Sequence, residues 1–142
     1  MRWRSLSDEG HYERCHRACV GDRPGPQGPA EMRVALIGRT RMLLDTAELL
    51  LQAGHQITLV ATCRSSERHT AKEADFERLA RAIGAEFLQG QDLNRPEIVA
   101  RLSGAGADVG VSVDWVNLIG PDACTAFPHG ILNTHGGDLP RY

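Results

Sequence analysis

Asn133 and His135 stand two residues apart at the end of the apolar pair Ile131-Leu132. On an extended strand that spacing sends both side chains off one face, so an amide donor lies beside a titratable imidazole. Such a pair suits acyl transfer. An Asn amide donates to a developing oxyanion, while a protonated His stabilises the same charge or gives its proton to a leaving amine. Gly136 and Gly137 follow and let the backbone turn away, leaving the pair open. Asn-x-His at a strand end is also the pattern of an ordinary structural hydrogen-bonding pair, so both readings stand at this point.

Two other clusters carry chemical interest. Gly38-Arg39-Thr40-Arg41 is a glycine turn opening onto a helix whose free N–H groups could receive an anion. As a dinucleotide fingerprint it fails, because Thr40 and Leu43 occupy the positions where G-x-G-x-x-G needs its second and third glycines. A turn-and-cap role is the better reading. His11, Cys15, His16 and Cys19 would share a helical face, but one short cluster without a second pair does not make a closed zinc site, and no metal is expected.

The elements that must position these groups are legible from Met32 onward. Val34-Ala35-Leu36-Ile37 sits in a strand over 33–38, followed by a helix over about 40–53 with Leu43, Leu44, Ala47, Leu50 and Leu51 at helical spacing. Thr40 is placed to cap that helix and Gly54 to end it. A second strand runs through 57–61, and after the polar stretch 63–70 an amphipathic helix carries Phe76, Leu79, Ala80 and Ile83 and closes at Gly84. A short strand at 86–88 leads to a helix near 95–103, opened by Asn94 with Glu97 three residues on, the spacing of a capping box. A buried-strand run at 108–113, a helix from Pro121 to Phe127 and a last strand at 131–134 complete the series. Strands alternating with helices at these lengths predict a mainly parallel, Rossmann-like α/β sheet with helices on both faces. Ligands in such sheets sit beyond the carboxyl ends of the strands, here Gly38–Arg41, Cys63–Arg64, Asp114–Gly120 and Asn133–Tyr142.

The 142 residues suit one domain of ordinary size. A net charge of −2 supplies no basic face for nucleic acid. No apolar run approaches the roughly 18 residues of a membrane span, and Met1 is not followed by a signal-peptide core, so a cytoplasmic protein is expected. The spacing of Cys15, Cys19, Cys63 and Cys124 is unlike a secreted disulfide framework, and all four read as thiols. Residues 1–31 end in a stretch interrupted by Pro24, Pro26 and Pro29 and read as a disordered leader or an over-long start, with the organised domain at 32–142.

The order of elements, Ala53-Gly54-His55 before the second strand, the segment Asp114-Trp115-Val116-Asn117-Leu118-Ile119, and above all Ile131-Leu132-Asn133-Thr134-His135-Gly136-Gly137-Asp138-Leu139-Pro140-Arg141-Tyr142 resemble the folate-dependent formyltransferases. That family includes enzymes acting on glycinamide ribonucleotide, methionyl-tRNA and amino sugars. The resemblance covers 32–142 and implies formyl transfer from 10-formyltetrahydrofolate, as co-substrate, to an amine. It implies catalytic roles for Asn133 and His135, and a folate pocket lined by Trp115, Val116, Asn117, Leu118 and Ile119. For Trp115, Leu118 and Ile119 ordinary core packing is the competing reading. The acceptor is a small-molecule amine or an aminoacyl-tRNA, with sugar nucleotide and ribonucleotide both open. The family's third catalytic residue is an Asp tens of residues after the His, whereas this sequence ends seven residues after His135. Asp138 reads as a turn residue, and the sequence as an amino-terminal portion of the catalytic domain. The alternatives are a non-catalytic folate-binding or inactive partial product and, more remotely, a nucleotide-binding Rossmann module.

Overall fold

A computed structural model describes residues 30–90 and 92–134. Most of the expected leader, the His/Cys cluster within it, and His135 with the residues after it lie outside the described residues. Among the described residues five strands alternate with four helices: β1 (Arg33–Gly38), α1 (Arg41–Gln52), β2 (Gln56–Thr62), α2 (Glu73–Ile83), β3 (Glu86–Gln89), α3 (Pro96–Gly104), β4 (Val109–Val113), α4 (Pro121–Thr125) and β5 (Ile131–Thr134). All strand pairs are parallel, in the order β3-β2-β1-β4-β5. The chain winds outward from β1 through β3, crosses back, and continues outward from β4. This is the Rossmann-like parallel sheet that the alternation of elements predicts.

Period-two alternation divides the strand side chains between two cores. Val34 and Leu36 of β1 join Ile57, Val60, Val109 and Val113 beneath Leu43 and Ala47 of α1 and Phe76 and Ala80 of α2. Ala35 and Ile37 face the other way, with Leu59, Ala61 and Leu88, and meet Leu102 of α3, Ala123 of α4 and Phe127. Helices therefore cover both faces, and β1 is buried on both, which is why its sequence reads as a continuous apolar run. Gly110 makes room on the second face: a Cβ there would stand 2.9 Å from Ile131 and 3.0 Å from the Phe127 ring.

Helix ends depart from the sequence reading in instructive ways. Thr40 does occupy the N-cap of α1, but its hydroxyl makes no capping bond and is buried without a partner among the described residues. Asn94 is not a cap at all. The N-cap of α3 is Arg95, and Pro96 takes the first helical position, where its missing N–H costs nothing and its fixed φ starts the turn. The Asn94 amide is engaged elsewhere, as described below. The fourth helix ends at Thr125, short of Phe127, whose side chain is 2% exposed and serves the core. Gly54 and Gly84 end α1 and α2 as the sequence suggests, with φ of 85° and 71° in the left-handed region.

Candidate functional site at the strand carboxyl ends

The connections leaving β1 and β4 run to opposite faces of the sheet, so a crevice must open between their carboxyl ends. The backbones come close there, since a Cβ on Gly38 would collide with the carbonyl oxygen of Val113. Asp114 then takes φ 53°, making it the described non-glycine residue with a left-handed backbone. Such conformations are sparsely populated for L-residues and recur where a chain must turn sharply beside a site. The turn brings Asp114 and Trp115 to the crevice. A cleft of about 650 Å³ results, lined by Thr40, Arg41 and Met42 after β1, Arg68, His69 and Thr70 after β2, Val113, Asp114 and Trp115 after β4, and Asn133 and Thr134 of β5. Its size is that of a site for one organic ligand.

Asn133 lies opposite Ser112 in the β4–β5 register and is exposed at the cleft. The Ser112 hydroxyl beneath it is buried without a partner among the described residues, and Thr134 Oγ1 donates to the Ser112 carbonyl at 3.3 Å. The backbone of Asn133 is thus fixed by its pairing to β4, while its side chain is open to the cleft. The shared face expected for Asn133 and His135 falls beyond the described residues.

The five residues of the 115–119 segment divide by environment. Trp115 lines the cleft and also packs against the α3–α4 core, with its indole Nε1 buried and without a hydrogen-bond partner among the described residues. Ile119 packs into that same core. Val116 and Leu118 are exposed, Leu118 at 86%, and Asn117 is exposed beside them. Of the five, Trp115 shares the cleft with Asn133, and the other four do not line it.

In loop 63–70 the sequence marks Cys63–Arg64 as a strand end where a ligand could sit, and the residues that supply a wall of the site are the later Arg68, His69 and Thr70. Glu73, at the start of α2, accepts from the Ser65 N–H at 2.9 Å and from Ser65 Oγ at 2.8 Å. Its carboxyl is held below the ordinary glutamate range, first by its own backbone N–H and then by these two bonds. The His69 ring accepts the Ser66 N–H at 3.3 Å, and Lys72 Nζ donates to the Ser66 carbonyl at 3.1 Å. These ties hold Arg68, His69 and Thr70 toward the cleft. Arg41 across the cleft, at the start of α1, is paired with Asp45 at 2.8 Å, whereas Arg68 of this wall has no ion-pair partner among the described residues. What could have revealed it is topology: loops after adjacent strands converge at the carboxyl edge. Cys63, 1% exposed at the base of this loop, is a free thiol that burial pushes above its ordinary pKa.

Residues 32–142 match the family model described as formyl transferase. The chain belongs to the formyl transferase family. A methionyl-tRNA formyltransferase from Solibacter usitatus (strain Ellin6076) is 30% identical over 114 residues, covering 78% of this chain and 37% of that protein. One from Dehalococcoides mccartyi is 34% identical over 116 residues, covering 79% and 37%. The chain therefore spans little more than a third of the length of these formyltransferases. Among solved structures, a glycinamide ribonucleotide transformylase from Symbiobacterium toebii superposes with a TM-score of 0.55 at 23% identity, over 78% of this chain and 54% of that one. At that identity the likeness speaks for the shared formyltransferase fold.

Proposed function

We propose that the 32–142 unit is the amino-terminal part of a catalytic domain that transfers a formyl group from 10-formyltetrahydrofolate to an amine. The observation that carries this reading is the placement of Asn133 at the carboxyl end of β5, in one cleft with Trp115 and Asp114, beside the crossover of a formyl transferase fold. The amine nitrogen attacks the formyl carbon, the carbonyl becomes a tetrahedral oxyanion, and collapse expels the N10 amine of tetrahydrofolate. Asn133 donates its amide N–H to the oxyanion. His135, two residues on, stabilises the same charge as an imidazolium and protonates the departing nitrogen, while an aspartate orients the imidazole and takes the proton of the attacking amine.

Trp115 would meet the folate within the cleft, and Val116, Asn117, Leu118 and Ile119, which do not line it, would add backbone groups and the exposed apolar side chains of Val116 and Leu118 where the ligand extends beyond the cleft. The cleft fits such a ligand in volume, with Met42 and Trp115 as apolar contacts. Arg41 and Arg68 suit an anionic portion of either substrate. The relatives named methionyl-tRNA formyltransferase support an amine acceptor, with aminoacyl-tRNA, ribonucleotide and sugar nucleotide as its classes. The site of action would be the cytoplasm. Among the described residues no helix is long and apolar enough to cross a membrane.

Titration of the chain with the stable donor analogue 5-formyltetrahydrofolate tests the reading. Saturable quenching of tryptophan fluorescence that disappears in Trp115→Phe is the expected result. Calorimetry showing no binding at millimolar ligand would overturn it. A nucleotide-binding module would instead respond to NAD or a nucleotide sugar in the same assay.

A further inference from the structure

Asn94 makes two hydrogen bonds across a gap of more than twenty residues. Its Nδ2 donates to the Leu118 carbonyl at 3.0 Å, and its Oδ1 accepts the Gly120 N–H. The segment bearing Asn94 is itself fixed: Leu93 is 3% exposed in the α3–α4 core, and the Asp92 carboxylate accepts the Asn94 N–H at 2.9 Å. Gly120 is fitted to the contact, because a Cβ there would stand 2.5 Å from Asn94 Oδ1. Its backbone, at φ −78° and ψ 170°, is one that any residue adopts. The absence of a side chain at Gly120 therefore serves the approach of Asn94 rather than the turn.

From this geometry we infer that Asn94 is a positioning residue for the cleft, a latch that holds the 114–120 loop in the shape in which it receives the folate. The inference rests on the proposed function and adds a residue outside the loop that governs donor affinity. The loop is held at its start by the left-handed turn at Asp114 and the partly buried Trp115, and toward its end by Ile119, which packs against the core. The Asn94 amide takes the Leu118 carbonyl just before Ile119 and the Gly120 N–H just after it, and Val116 and Leu118 face outward. Asn94 need not touch the ligand. Without the latch, the loop's ordering is left to the moment of binding, and affinity falls.

The test is a cycle of Asn94→Ala, Gly120→Ala and the double variant in the full chain. Calorimetry with 5-formyltetrahydrofolate gives Kd, and hydrogen exchange follows the amides of 116–120. Asn94→Ala is expected to weaken binding on the order of tenfold, as befits two lost hydrogen bonds. Gly120→Ala, which pushes Asn94 aside without removing it, should do the same. In the double variant the new methyl meets no Asn94 oxygen, so the loss should match that of Asn94→Ala alone. Faster exchange should be confined to the loop, with the thermal midpoint little changed. Additive losses, or wild-type Kd in both single variants, overturn the latch while leaving folate binding intact. Absence of binding by the wild-type chain overturns the folate reading, and the latch's role with it.

Discussion

In the proposed reaction Asn133 is the oxyanion donor, and its location says what its loss should then do. It stands on β5, whose backbone is paired to β4, so replacing it removes a donor without removing a support. In the catalytic domain carrying the full residue complement, Asn133→Ala should lower kcat on the order of 100-fold or more with little change in KM, because the oxyanion exists only in the transition state. Steady-state kinetics against 10-formyltetrahydrofolate checks the split. A change in KM alone would make Asn133 a binding residue. Glu73 acts at the same scale through the loop it holds. Its carboxylate is stabilised in the folded chain, so its contribution is complete above the ordinary glutamate value of 4.5 and is lost as pH falls through its lower folded value. The protection of the Ser65 amide, its observed exchange rate compared with the intrinsic rate at the same pH, should therefore fall as the solution is acidified below that value. Glu73→Gln should show fast exchange at neutral pH and lose this acid dependence.

Elements meet most closely where glycine replaces side-chain volume. At Gly38, a methyl group would run into the Val113 carbonyl and press on Leu43, so Gly38→Ala must part β1 from β4 at the point where the cleft opens. A cost of about 1–3 kcal/mol is expected, as for other overpacked sites, and urea unfolding measures it. Loss of donor affinity should accompany that cost, because the strand ends carry Thr40 on one side and Asp114 on the other. Phe127, between α4 and β5, fills the second core against Gly110, with a ring 2% exposed. Phe127→Ala should cost about 3–5 kcal/mol in the same measurement. Its effect on donor affinity should be the smaller of the two, since it lies below the carboxyl edge.

Across the whole described unit, two cores on opposite faces of one sheet hold the cleft rigid from below. The amino-terminal edge is tied separately. Arg33 of β1 pairs with Asp108, just before β4, at 2.8 Å, and Asp108 also accepts the Arg33 backbone N–H at 2.8 Å. These bonds hold the Asp108 carboxyl below its ordinary value of 3.8. The stabilisation they give is present above that pH and disappears as acid protonates the carboxylate. Asp108→Asn should therefore reduce the fall in thermal midpoint between neutral pH and pH 3, read by circular dichroism at a series of pH values. Donor binding at neutral pH should survive the change, because the tie lies at the opposite end of the strands from Asn133.

By itself, the sequence determined the alternation of strands and helices, because apolar period is a local property. The run Val34–Ile37 and the spacing of Phe76, Leu79, Ala80 and Ile83 carry it within a few residues. It also determined that Asn133 lies near the end of the last strand, since the apolar pair Ile131-Leu132 precedes it and glycines follow. Capping was less legible, because Thr40 and Asn94 each have a side chain that can cap a helix and the local pattern cannot say what else competes for it. Tertiary structure decided that competition: Asn94 spends its amide on Leu118 and Gly120, far along the chain. It alone brought Arg68, His69 and Thr70 to the cleft, by setting β2 next to β1, and it split the 115–119 segment among cleft, core and solvent. Those outcomes depend on which strands become neighbours and how their loops converge, and strand order is a non-local consequence of packing two faces of one sheet.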